Sequence, residues 1–456
     1  MKNKIGMGIL SALAVGHFVP TGAQAAEGEH EFDLKARGVY WKEESTAVPT
    51  ASAPHPKPTE FEQSALGLQL NYRSPYFGNV IGADASLYGV TRIGSSGVPT
   101  TNLVEVGNNG QLRDSYATLA QAYVKLKYDD FAQARVGRQL QESLLLKSSS
   151  TRTVPDTYSG VSASVKPMSG LDVYGAVYDR WRARSTDEFV KFRTESTAAG
   201  VDHDIDYVGV LGASYSAGPA SVTAEYLNSK SYLSKFGLVG AYKIPLDKNS
   251  LKLSAGLFTS RDAGHLFVCG AERELDCKGT GRIDNDGMGV YLDADWKVSN
   301  FTLGVAVAKF DGFWIEDNFA VDASRTGKLT QDHGTNPFPT SAGLGPDLTN
   351  DGETVGSVRI AYDWKDYVPG LKTAFKYSRG TGAKRSNIDS DARGSENYRE
   401  FDVQYALPFV KNLSVRYMYM NYDSNIEHGT NHPTIKGMPR ADWEQHRVYL
   451  DYTYKF

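Results

Sequence analysis

Apolar and polar residues alternate with a period of two along most of this chain. In its closing stretch Val448, Leu450, Tyr452, Tyr454 and Phe456 share one parity, and Arg447, Tyr449, Asp451, Thr453 and Lys455 share the other. One apolar face and one charged face suit a strand standing between lipid and water. The pattern recurs upstream. Phe32, Leu34, Ala36, Gly38 and Tyr40 oppose Asp33, Lys35, Arg37 and Trp41, while Leu66, Leu68, Leu70 and Tyr72 oppose Gln69, Asn71 and Arg73. Val290, Leu292, Ala294 and Trp296 oppose Tyr291, Asp293, Asp295 and Lys297, and Leu413, Val415, Tyr417 and Tyr419 oppose Ser414, Arg416 and Met418. Such segments have about the 9–11 residues that a tilted strand needs to cross a bilayer.

The connections alternate between tight turns and long polar stretches. Turns at 129–130, 167–170, 217–219, 246–249, 298–300 and 367–370 stand between stretches 43–61, 94–114, 139–156, 182–205, 261–285, 313–352, 381–395 and 424–441. This asymmetry predicts an all-β protein, an antiparallel transmembrane β-barrel of about eighteen strands. A soluble sandwich would turn polar faces to water on most strands and would lack the loop asymmetry. Barrels of sixteen to eighteen strands leave an aqueous channel, so passage rather than catalysis is the expected function.

Composition narrows the setting. With 27 Tyr and 45 Gly against 2 Cys, the chain has the makeup of strands and turns. Lys2 and Lys4 precede an apolar run from Ile5 to Val19, followed by Ala23-Gln24-Ala25. That layout predicts a signal peptide over 1–25 and a barrel domain over 26–456. The apolar run is too short to span a membrane as a helix, so any crossing is made by strands. Export combined with barrel strands places the chain in a bacterial outer membrane, surrounded by lipid and lipopolysaccharide. Its aromatic end resembles the closing strand that such barrels show to their assembly machinery. A net charge of -4 leaves no basic excess for nucleic acid. Lipid contacts and subunit contacts look alike in composition, so a monomer and a weak homotrimer both stay open.

Lumen parity gathers a basic set: Arg37, Arg73, Arg135, Arg359, Lys376, Arg416 and Arg447, with Lys35 and Lys455 beside them. First and last strands are neighbours in a closed barrel, so many of these cluster on one wall. Cations in a low-dielectric tube attract anions, and arginine's planar fork suits carboxylates. Wall carboxylates such as Asp33, Asp363, Asp402 and Asp451 compete as partners. Asp293 and Asp295 are candidates to meet a cationic group on a solute. Cys269 and Cys277 lie in one outer loop, where export favours a disulfide. No histidine or second cysteine pair sits at ligand spacing, and His428 and His432 lack a helix to align them, so no metal is expected. Neither a nucleophile elbow, a zinc helix nor a clustered acid pair appears. His203 among Asp202, Asp204 and Asp206 comes nearest, and no enzyme activity or cofactor is expected.

Leu112-Arg113-Asp114-Ser115-Tyr116, Gly137-Arg138-Gln139 and the run Ser148-Ser149-Ser150-Thr151-Arg152-Thr153-Val154-Pro155-Asp156-Thr157-Tyr158-Ser159-Gly160 resemble the OprD-type specific porins of Pseudomonas and relatives. The start 34–41 and the block 411–417 fit the same family. The resemblance implies eighteen strands, third and seventh outer loops folded inward, and a basic ladder guiding carboxylate-bearing nutrients to the constriction. Carried over by position, the ladder holds Arg37, Arg73, Arg359, Lys376 and Arg416, with Arg152 as the basic residue of the inward loop. The stretch 313–352, with Asn336-Pro337-Phe338-Pro339, would be the second constriction loop. Met418 departs from the pattern, because the family often repeats an arginine there. The expected protein is a passive, substrate-selective channel for small carboxylates: amino acids, aromatic acids or other organic acids. A general, weakly anion-selective diffusion porin, without an ordered constriction, is the alternative.

Overall fold

The computed structural model describes residues 29–46, 59–194, 203–247, 249–267, 287–312, 314–322, 331–341, 347–384, 393–425, 427–428, 438–439 and 442–456. Eighteen long strands form the wall. The first seven are β1 (Glu31–Ser45), β2 (Thr59–Arg73), β3 (Ile81–Gly97), β4 (Ser115–Tyr128), β5 (Ala132–Gln139), β6 (Thr157–Met168) and β7 (Leu171–Arg182). Then come β8 (Val208–Ala217), β9 (Ala220–Ser229), β10 (Leu233–Leu246), β11 (Asn249–Asp262), β12 (Gly287–Val298) and β13 (Phe301–Asp311). The last five are β14 (Thr354–Asp363), β15 (Leu371–Lys384), β16 (Arg393–Ala406), β17 (Leu413–Ser424) and β18 (Trp443–Lys455). Each pairs antiparallel with its sequence neighbour, and β1 closes the barrel on β18, with Asp33 opposite Lys455 and Ser45 opposite Trp443. Among the described residues there is no helix.

The period-two reading assigns the faces correctly. Leu68, Leu292 and Val305 point out to lipid, with 41%, 63% and 57% of their surface exposed, whereas Asn71 and Arg359 point in and are 5% exposed. An apolar outer belt is stable here because lipid covers it, and closure leaves no edge strand unpaired. The short turns carry the backbone that tight hairpins demand. Asp129, Asp247 and Ser299 take φ of 46°, 53° and 52°, in the left-handed region that short polar side chains tolerate best after glycine.

Eight of the nine outer connections are long, as the sequence suggests; the ninth, joining β9 to β10, is only residues 230–232. Three long loops fold over the lumen: the third (140–156), the fourth (183–207) and the seventh (312–353). Short strands tie them together. Asp317–Val321 pairs with Gln331–Gly334, and Ala320 meets Arg193 of Val190–Arg193, which in turn pairs with Asp204–Ile205. The hydrophobic core lies between these loops and the inner wall, around Tyr158, Tyr178, Trp181, Phe192 and Phe319, none of them exposed. The leader 1–25, Asp202, Cys269, Cys277 and His432 lie outside the described residues.

Candidate functional site

The third loop runs down the inner wall as a strap, and each residue of Arg152-Thr153-Val154-Pro155-Asp156 has a separate anchor. Arg152 lies over the Trp41 ring at 4.0 Å. Thr153 presses on the backbone of Gly67, where an added Cβ would come within 2.7 Å of it. Val154 is buried, and the Pro155 carbonyl accepts from the Arg182 guanidinium. Asp156 accepts from Trp181 Nε1 at 2.7 Å and from the Ser149 amide. Further up the loop, buried Glu225 on β9 accepts from the Leu144 and Leu145 amides at 3.0 and 2.8 Å and from Ser143 Oγ at 2.9 Å. Backbone donors aimed at one carboxylate fix a loop more tightly than apolar contact alone.

The seventh loop is held from the opposite wall. Lys376 Nζ on β15 donates to the Pro339 carbonyl at 3.0 Å and to the Ser341 carbonyl, and Ser378 Oγ donates to the Thr340 carbonyl at 2.7 Å. Phe338 wedges among Phe258, Phe310 and Trp314, with ring centroids 4.7 to 5.4 Å apart. Gly289 makes room, since a Cβ there would stand 2.3 Å from the Phe338 ring. His333 joins the two loops. Its Nε2 lies 2.8 Å from Tyr158 Oη and 3.0 Å from the Lys147 carbonyl, and 3.6 Å from Asp156. Burial pushes this imidazole below its ordinary pKa.

The ladder candidates fall into three groups. Arg37, Arg152, Arg416 and Arg447 gather around Trp41 and Tyr449. Arg447 stacks on Trp41 at 3.3 Å and donates to Gln445, so two guanidiniums share the Trp41 ring. Arg37 grips Asp451 through Nε at 2.5 Å and Nη2 at 3.1 Å, while its Nη1 donates to the Ser150 carbonyl at 2.6 Å. Arg416 grips Asp402 at 2.7 to 3.1 Å. Arg359 and Lys376 face each other in register beneath the seventh loop. Arg359 pairs with both Asp293 and Asp295, the latter at 2.9 Å. Arg73 and Arg135 stand apart on the wall from β2 to β5; Arg73 pairs with Asp33 at 2.7 Å, and Arg135 lies 5.5 Å from the Tyr123 ring.

The wall between β11 and β1 therefore interleaves charges of both signs: Lys252, Asp295, Asp293, Arg359, Lys376, Glu400, Asp402, Arg416, Asp451 and Arg37. Three of the four competing carboxylates read from the sequence, Asp33, Asp402 and Asp451, do pair with ladder arginines, and Asp363 lies 4.0 Å from Lys372. A guanidinium moved out of bulk water needs a counter-charge nearby, and the wall supplies it. Asp293 and Asp295, expected to meet a solute's cationic group, are both engaged by Arg359. Burial also holds Arg152 well below its ordinary pKa, with Arg184 and Arg447 adding repulsion.

Several contributors escaped the sequence reading. Trp41 reads as one more inward residue, yet it is the seat of the strap. Gly304 permits the Arg359 pair, because a Cβ there would stand 2.5 Å from Asp295 Oδ1 and 2.6 Å from Arg359 Nε. Glu225 and Gly304 did leave a signal, as a lone carboxylate and a glycine at lumen parity inside strands. His333 left none.

Comparison with known proteins agrees with this geometry. The family model described as outer membrane porin, OprD family, matches residues 27–456, so the chain belongs to that family and sits in the bacterial outer membrane. OpdK of Pseudomonas aeruginosa, solved with vanillate, is 18% identical, with a TM-score of 0.73 over 95% of this chain and 100% of that one. OccK8 (OprE) of the same organism gives 16% identity and a TM-score of 0.76 over 94% and 99%. OccAB3 of Acinetobacter baumannii gives 20% and 0.72 over 94% and 100%. At these identities the solved structures establish the shared fold. No curated protein matches the chain.

Proposed function

We propose, taking membership of the OprD porin family as the premise, that this chain is a passive, substrate-selective channel for small carboxylate-bearing nutrients. Amino acids and aromatic or other organic acids are the solute classes meant. Arg416 carries the reading. Asp402 fixes its fork through Nε and Nη2, while Nη1 has no hydrogen bond among the described residues and the side chain is 33% exposed to the lumen. A guanidinium oriented on one edge and open on the other is a pre-formed carboxylate donor. A passing carboxylate exchanges onto that edge without first breaking the wall pair, then moves toward Arg359 and Lys376. Arg37, Arg73, Arg135, Arg152 and Arg447 complete the path, the first and fourth also holding the third loop. The channel needs no cofactor and performs no catalysis. The residues before Ala26 act as a cleaved leader, the closing strand addresses the assembly machinery, and the channel works as a monomer or a weak homotrimer.

One observation favours the alternative of a general, weakly anion-selective porin: Arg37, Arg73, Arg359 and Arg416 are ion-paired, which reduces the net field. Single-channel recording in a planar bilayer under a salt gradient, with a panel of small carboxylates, separates the two. Small conductance, an anion-leaning reversal potential and block by only some carboxylates support the selective channel. Large conductance insensitive to every solute supports the general porin. OpdK was solved with vanillate, an aromatic carboxylate, and aromatic acids therefore head the panel.

A further inference from the structure

Toward the outer loops the lipid-facing surface of β13, β15 and β16 ends in basic residues. On β13 the outward series Phe301, Leu303, Val305 and Val307 gives way to Lys309, and on β15 Phe375 and Tyr377 give way to Arg379. Read upward from its periplasmic end, β16 passes Val403 and Phe401 before Arg399. Exposed Thr354 fills the place on β14. Arg379 lies opposite Asn397, and Arg399 opposite Tyr377, so the two guanidiniums are diagonal neighbours on the outer face. On β14, β15 and β16 no outward position among the described residues is acidic.

Across β17, β18, β1 and β2 the rim is neutralised differently. From β17 through β2 the outward positions hold Asp423, Glu444, Glu44, Glu60 and Glu62, and Lys42 there is bound by Glu44 at 2.6 Å and Glu60 at 3.2 Å. On the basic side Lys309 Nζ reaches, among the described residues, only the Gly352 carbonyl at 2.7 Å, and Arg399 pairs with Asp423 at 2.7 Å. Arg379 is exposed and makes no hydrogen bond or ion pair with any described residue. A guanidinium at the border of the hydrocarbon layer, with no carboxylate partner among the described residues, finds its counter-ion in the headgroups.

We propose that Lys309, Arg379 and Arg399 form a binding site for an outer-leaflet lipid whose headgroup carries phosphate groups. Arginine forks match phosphate oxygens two at a time, and the lysine adds a point charge. The exposed Val307 and Phe401, with half-buried Tyr377 between them, lie directly below and take the acyl chains, which is why the occupant is a lipid rather than free phosphate. The site lies on the outside of the barrel and is independent of the solute that passes through it.

Native mass spectrometry of the purified channel in detergent tests this, with the diphosphorylated lipid anchor of lipopolysaccharide as probe. The unmodified protein should retain one such lipid and should lose it about ten-fold more readily once the probe's phosphates are removed. R379Q combined with R399Q should show the same about ten-fold loss, R379K should keep most of the binding, and K42Q should change nothing. Channel conductance equal to that of the unmodified protein verifies that the variants fold. Equal retention of the phosphorylated and phosphate-free probes by the unmodified protein overturns the site, as does displacement of the lipid by millimolar inorganic phosphate.

Discussion

Replacing Trp41 with alanine should release the third loop from the wall. Trp41 is 3% exposed and has two guanidiniums over its ring, Arg152 at 4.0 Å and Arg447 at 3.3 Å. A desolvated cation–π contact contributes about 1 to 2 kcal/mol, and only the Arg152 contact joins loop to wall, because Arg447 belongs to β18. That corresponds to a factor between about 5 and 30 in docked over undocked loop. Removing the ring also leaves Arg152 to face the like charge of Arg447 without an aromatic partner, which acts in the same direction. The other anchors, Arg37 on the Ser150 carbonyl and Tyr449 Oη on the Thr151 carbonyl at 3.1 Å, remain and set how far the loop can swing. The assay is single-channel recording: W41A should show frequent transitions to a larger conductance, W41F fewer, and the unmodified channel a quiet level. A quiet W41A trace at the original conductance would refute the reasoning, because the strap would then be held without its stack.

Other perturbations test separate parts of the site. R416A leaves Asp402 without its cation and should weaken uptake of carboxylates more than of uncharged solutes of equal size; equal losses in a liposome-swelling assay would remove Arg416 from the ladder. G304A places a methyl into the space between Asp295 and Arg359 and should shift the reversal potential by parting that pair, whereas an unchanged potential would show that the wall yields instead. For His333, the folded pKa lies below the unfolded one, so the unfolded junction binds the proton first and stability is lost as pH falls below about 6.5 toward the folded value. Protease nicking of the seventh loop should therefore rise below about pH 6.5 in the native protein and lose that dependence in H333F; an identical profile in both would exclude the histidine.

Strand number and face assignment were open to reading from the chain alone, whereas the inward third and seventh loops were implied by the family resemblance and the inward fourth loop was not foreseen. A period of two is a local property: the lipid requires an apolar residue at every second position whatever its neighbours are, so Leu66 to Tyr72 and Val448 to Phe456 declare their faces without help. Alternating turn and loop lengths likewise carry the hairpin order, and the short β9–β10 connection was the one place where that rhythm failed. Charge pairing could not be read the same way. Arg37 and Asp451 are 414 residues apart and meet only because β1 closes on β18. Asp293 and Asp295 look like solute contacts until the register of β12, β13 and β14 carries Arg359 across Gly304 to them. The loops are held mostly through their carbonyls, at Ser150, Pro155, Pro339, Thr340 and Ser341, and a carbonyl has no sequence signature. What each residue is, and which way it faces, was fixed locally; which charge neutralises which was decided by closure of the sheet, because Coulomb attraction depends on separation in space and not along the chain.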